Sequence, residues 1–173
     1  MKTFKELFEV FDHPFNYEYD PTMESLVRHH LNDPKGPYKN HKFGAIRAFK
    51  LQDSHGHLIH VVRNGYHELH HIASDNSSGD DPPKLLPPNP RFIGTMLHYA
   101  KEHTIGHGRG TKISATPQMF TKLKPIISML SKRYNYNVSF GEEVVSGHMT
   151  HHAIITVKPH PLFEGMKIAT DSA

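Results

Sequence analysis

The stretch His57-Leu58-Ile59-His60-Val61-Val62-Arg63-Asn64-Gly65-Tyr66-His67-Glu68-Leu69-His70-His71-Ile72-Ala73-Ser74 decides the fold. Asn64-Gly65 between two alternating runs signals a two-residue hairpin, because a type I′ turn needs positive φ at both central positions. The turn sets the register. Arg63 faces Tyr66, Val62 faces His67, Val61 faces Glu68, His60 faces Leu69 and Ile59 faces His70. Alternation then puts Ile59, Val61, Tyr66, Glu68 and His70 on one face, and Leu58, His60, Val62, His67, Leu69 and His71 on the other. Upstream, Asp53-Ser54-His55-Gly56 reads as a turn, and residues 43–51 as a third strand carrying Ile46, Ala48 and Leu51. A three-stranded antiparallel meander is expected.

Working outward, Phe15, Tyr17 and Tyr19 alternate as a short strand. Asp20-Pro21-Thr22 stops it and caps a helix over 22–32, with Met23, Leu26, Val27 and His30 on one side. Residues 32–44 read as a loop. After the meander, residues 75–90 form a polar loop with prolines at 82, 83, 87, 88 and 90. Residues 91–103 are helical, with Phe92, Ile93, Met96, Leu97 and Ala100 inward. Residues 111–116 form a strand. Thr116-Pro117 starts a long helix through Met119, Leu123, Ile126, Ile127, Leu130 and Tyr134. Pro125 predicts a kink or restart there, since an interior Pro costs about 3 kcal/mol. Val138 and Phe140 open a further strand, and residues 150–158 make the last. The order is α+β: a single domain with a mixed, mostly antiparallel sheet and flanking helices. The expected organisation is an N-terminal amphipathic helix over 1–14, a domain over 15–158 and an irregular tail over 159–173.

Composition narrows the chemistry. The 173 residues carry a net charge of +3 with His neutral, 17 His and no Cys. Absent Cys excludes a disulfide scaffold, a Cys-based zinc site and a thiol nucleophile. No apolar run approaches the ~18 residues of a membrane span, and Lys2 and Lys5 are followed by mixed residues, so neither a span nor a secretory signal is expected. The charge is too mild to imply nucleic acid. Lys122, Lys124, Lys132 and Arg133 read as a solvated helix face.

Glu68 shares its face with Val61 and Ile59, and partial desolvation there would raise its pKa toward that of a general base. The alternative is pairing with Arg63 or a neighbouring His at the sheet rim. On the other face His60, His67 and His71 form an imidazole patch, but no fourth ligand completes a zinc site, so no metal is expected. His148, His151 and His152 form a second group with the same shortfall, since His151 and His152 point to opposite faces. His107-Gly108-Arg109-Gly110 reads as a turn with exposed amides beside an Arg. Near the N-terminus, Thr3 and Glu6 form a capping box, and Phe4, Leu7, Phe8 and Phe11 recur at helical spacing as a surface for a protein partner.

The element order resembles the GNAT (GCN5-related N-acetyltransferase) fold over roughly residues 15–158. In that family a loop and helix N-terminus after the meander bind the coenzyme A pyrophosphate on free amides. The family pattern is Gln/Arg-x-x-Gly-x-Gly/Ala. Arg91 and Gly94 match its first two fixed positions, and Met96 stands where Gly or Ala is usual. The resemblance implies an acetyl-CoA or other acyl-CoA cofactor held near Arg91, Ile93, Gly94 and Thr95. It implies Glu68 as general base, and Tyr134 or Tyr136 as the acid that protonates the coenzyme A thiolate. The opening Met1-Lys2-Thr3-Phe4-Lys5-Glu6-Leu7 also looks like the N-termini of small tailed-phage proteins, and Leu7-Phe8-Glu9 is similar to a phage head-protein cleavage site. That likeness implies the host cytoplasm or the virion. Three functions follow: an acyl-CoA-dependent N-acyltransferase of unknown acceptor, a non-catalytic GNAT-like accessory or virion-associated module, and a His-dependent metal or pH-responsive binder.

Overall fold

The fold is that of a computed structural model, which describes residues 13–74, 84–86, 89–145 and 147–157. The aromatic helix, the tail and most of the proline-rich loop lie outside the described residues. Among the described residues seven strands form one mixed sheet: β1 (Tyr17–Tyr19), β2 (Phe43–Leu51), β3 (Gly56–Arg63), β4 (Tyr66–Ala73), β5 (Thr111–Ala115), β6 (Tyr136–Val145) and β7 (His148–Val157). Their order across the sheet is β1-β2-β3-β4-β5-β7-β6. Three described helices flank it: α1 (Pro21–Leu31), α2 (Pro90–His103) and α3 (Pro117–Tyr134). None is long and apolar enough to cross a membrane.

The hairpin forms as the turn chemistry demands. Asn64 and Gly65 adopt φ of 53° and 81°, and every β3–β4 pair falls in the expected register. Each helix starts on a side-chain cap. Asp20 accepts from the Met23 amide, Asn89 from Phe92 and Thr116 from Met119, and each cap is followed by Pro, whose missing N–H costs nothing there. α3 ends on Asn135 in the left-handed region.

Pro125 does not restart α3, which runs unbroken from Pro117 to Tyr134. The residue lies on the exposed side of the helix, so the bond it removes is lost facing solvent rather than the core.

The two sheet faces are covered unequally. α2 and α3 pack on one face, burying Leu58, Leu69, Ile113, Ala153 and Ile155 against Phe92, Met96, Phe120, Leu123 and Ile127. α1 covers part of the other face over β2–β4, where Met23 and Val27 meet Ile46, Ala48, Ile59, Val61 and Ile72. β4 and β5 are parallel and pair only at His67↔Thr111 and Glu68↔Lys112. Beyond that point β4 runs on to Ala73 and takes another partner on its β5-facing edge. There residues 84–86 bridge antiparallel through Ile72↔Leu85, with Ala73 N–H donating to the Lys84 carbonyl and Leu86 N–H to that of His71.

Candidate functional site

Glu68 lies where β4 and β5 part, on the α1 side of the sheet. It is 5% exposed. Arg63, two residues diagonal to it across the hairpin, donates through Nε to Oε2 at 2.7 Å and through Nη2 to Oε1 at 2.9 Å. His70 Nε2 stands 3.7 Å from Oε1. Burial alone would raise the carboxyl pKa, but hydrogen bonding and charge from His70 and Arg63 outweigh it and hold the pKa below its usual value. The expected raised pKa is therefore corrected. Of the two readings the structure takes the ion pair, because Arg63 reaches the carboxylate in a bidentate fork.

The residues carried over from the resemblance do not converge on Glu68. Tyr136 starts β6 and packs, with Val138, against the α2–α3 core, the opposite face from Glu68. Three strand spacings, roughly 14 Å, separate β6 from β4. Tyr134 closes α3, 6.1 Å from Tyr136 between ring centroids and beneath the Lys101 ammonium. Burial, then the neighbouring Tyr134, raises the Tyr136 pKa.

Arg91, Ile93, Gly94 and Thr95 form the first turns of α2. The Arg91 guanidinium donates to the His13 carbonyl at 3.0 Å and lies 4.1 Å from the Phe15 ring centroid. Ile93 and Thr95 are buried. The Thr95 hydroxyl donates to the Arg91 carbonyl and accepts from the Phe15 amide, both at 2.8 Å. Two amides of this helix start are already engaged, Phe92 N–H by the Asn89 side chain and Ile93 N–H by the Asn89 carbonyl.

The imidazole patch also resolves. His60 Nε2 and His67 Nδ1 share a hydrogen bond of 2.8 Å, and His60 Nδ1 meets the Tyr99 hydroxyl at 2.8 Å. His71 turns away and stacks on Phe92, with centroids 4.1 Å apart. Its ring occupies space that a Cβ at Gly56 would need. Among the described residues no group of three or more His, Asp or Glu is placed to hold a metal ion. The 106–110 turn packs on the hairpin instead of standing free. Arg109 N–H donates to the Gly65 carbonyl, and its guanidinium covers the Tyr66 ring at 4.6 Å.

One constellation escaped the sequence reading. His57 is 3% exposed, and its Nε2 lies 2.8 Å from Asp20 Oδ2, while its Nδ1 lies 2.8 Å from Ser74 Oγ. The sole sequence signal was Asp20 as a helix cap; its meeting with residues 37 and 54 positions away needs the pairing of β1 through β4. The chain was compared with family models, curated proteins and solved structures, and none matches.

Proposed function

We propose that this chain is a GNAT-like domain acting as an accessory binding module, in the host cytoplasm or the virion, and not as an acyl-CoA-dependent N-acyltransferase. The observation that carries this choice is the separation of the candidate base from the candidate acids: Glu68 and Tyr134 or Tyr136 belong to opposite faces of the sheet. Support for the GNAT-like part comes from the strand order, with β7 between β5 and β6, and from parallel β4 and β5 that part beyond Glu68 and Lys112. Two further features weigh against acyl-CoA chemistry. Glu68 is a poor base while Arg63 holds it ionised. An extended ligand entering the opening needs free backbone groups along β4, and residues 84–86 already use part of that edge.

The test is acetyl-CoA binding to the full chain by thermal shift and calorimetry. No saturable binding at millimolar ligand is the expected result. A saturable shift in Tm, with acyl transfer to an amine that is lost in Glu68→Gln, restores the acyltransferase reading.

A further inference from the structure

We propose that Ser74, His57 and Asp20 form an activated-serine site that takes an acyl group from small activated carboxylic esters. The site is independent of the Glu68 region, from which six residues of β4, about 20 Å of extended chain, separate it.

Three elements build it. Asp20 is the N-cap of α1, where one carboxylate oxygen accepts from the Met23 amide at 3.1 Å and the other faces His57. His57 stands near the start of β3, on the α1 face of the sheet. Ser74 directly follows β4, and its N–H donates to the His55 carbonyl at 2.8 Å, which fixes it against the β2–β3 turn.

With the imidazole neutral, the hydrogen bonds have one consistent assignment. The Asp20 carboxylate only accepts, so His57 Nε2 carries the ring proton. Nδ1 then holds a lone pair, and the Ser74 hydroxyl donates to it. This is the nucleophile, base and orienting-acid order of a serine triad, with the two ring nitrogens exchanged. The Asp20 carboxyl stays ionised at neutral pH: burial would raise its pKa, but bonds from His57 and the Met23 amide outweigh that.

His57 is buried, while Ser74 and Asp20 at its two ends are half-buried, so the imidazole is shielded and the serine is within reach of the surface. A shallow surface depression lined by residues 50–55 lies beside it. Lys50 pairs with His57 in register and so shares its face of the sheet.

The step balances with the ester and water alone. Ser74 Oγ attacks the acyl carbon while its proton passes to His57 Nδ1. The ester C–O bond breaks, and the leaving alcohol or phenol takes that proton. Water then adds to the acyl-serine, gives its proton through Nδ1 back to Ser74 Oγ, and releases the acid.

The deciding experiment treats the full chain with a fluorophosphonate probe and maps the adduct by mass spectrometry. Turnover of p-nitrophenyl acetate is a secondary readout, because 17 His give a background of their own. The expected result is a single adduct on Ser74, abolished in Ser74→Ala and slowed at least tenfold in Asp20→Asn. Asn retains the helix cap, so Asp20→Asn removes the charge without unfolding α1. No adduct on Ser74 in the folded wild type overturns the proposal, and so does a labelling rate unchanged in Asp20→Asn. Acetyl-CoA binding does not enter either outcome, so this site and the preceding functional reading fail separately.

Discussion

His57 and His60 stand three residues apart on β3, both buried, and face opposite sides of the sheet. His57 lies between a carboxylate and a hydroxyl. His60 lies between the Tyr99 phenol and the His67 imidazole, with Arg47 and His103 as the other charged or titratable neighbours on its face. Burial, reinforced by His67, Arg47 and His103, lowers the His60 pKa to about 4. Burial and Tyr17 raise that of Tyr99 to about 12 despite Arg47. The His60 chain thus stays neutral over a wide pH range and acts as a strut. The His57 chain contains a carboxylate, Asp20. Equal burial on one strand gives different chemistry because the partners differ.

The largest effect expected from this contrast lies at the third buried titratable group, Glu68. Arg63→Ala strands its carboxylate and should cost about 3–5 kcal/mol in urea denaturation, while Arg63→Ala/Glu68→Ala together should recover much of it. A loss below about 1 kcal/mol would mean that counter-charge matters little in this sheet.

The pH effect comes next. His60 is neutral in the fold down to about pH 4 but takes a proton in the unfolded chain below its ordinary value of 6.5. Its contribution is fully present above pH 6.5 and is lost as the pH falls to about 4, on the order of 3 kcal/mol in all. Urea melts at pH 7 and 4.5 should show this loss, and His60→Gln should flatten it. An identical slope in the variant breaks the contrast.

Asp20→Ala removes the cap of α1 and leaves His57 Nε2 without its partner, for a loss of about 1–2 kcal/mol in Tm-derived stability. The smallest effect sharpens the strut reading: Tyr99→Phe deletes one neutral hydrogen bond, and calorimetric unfolding should register about 1 kcal/mol.

Local chemistry made much of this molecule legible from its residues. Asn64-Gly65 carried the hairpin and its register, and Asp20 and Thr116 carried two helix starts, because each acts through neighbours in sequence. Long-range choices were hidden. Glu68 had two open fates, and which one held depended on how far the Arg63 side chain reaches along the face. Ser74, His57 and Asp20 meet only through sheet pairing across 37 and 17 residues. Pro125 does not restart the helix, because its cost depends on whether the lost bond faces core or solvent.

β7 is the last described strand in sequence, yet it lies between β5 and β6. A chain emerging from the ribosome can close the meander once Ala73 is out, but β5 finds its second neighbour only after residues to Ile155 have followed. Until then its edge is open, with parallel pairing to β4 limited to two residues. The C-terminal arm therefore assembles late, β6 and β7 joining before or as they dock. This places the window for misassembly during synthesis on one strand, β5.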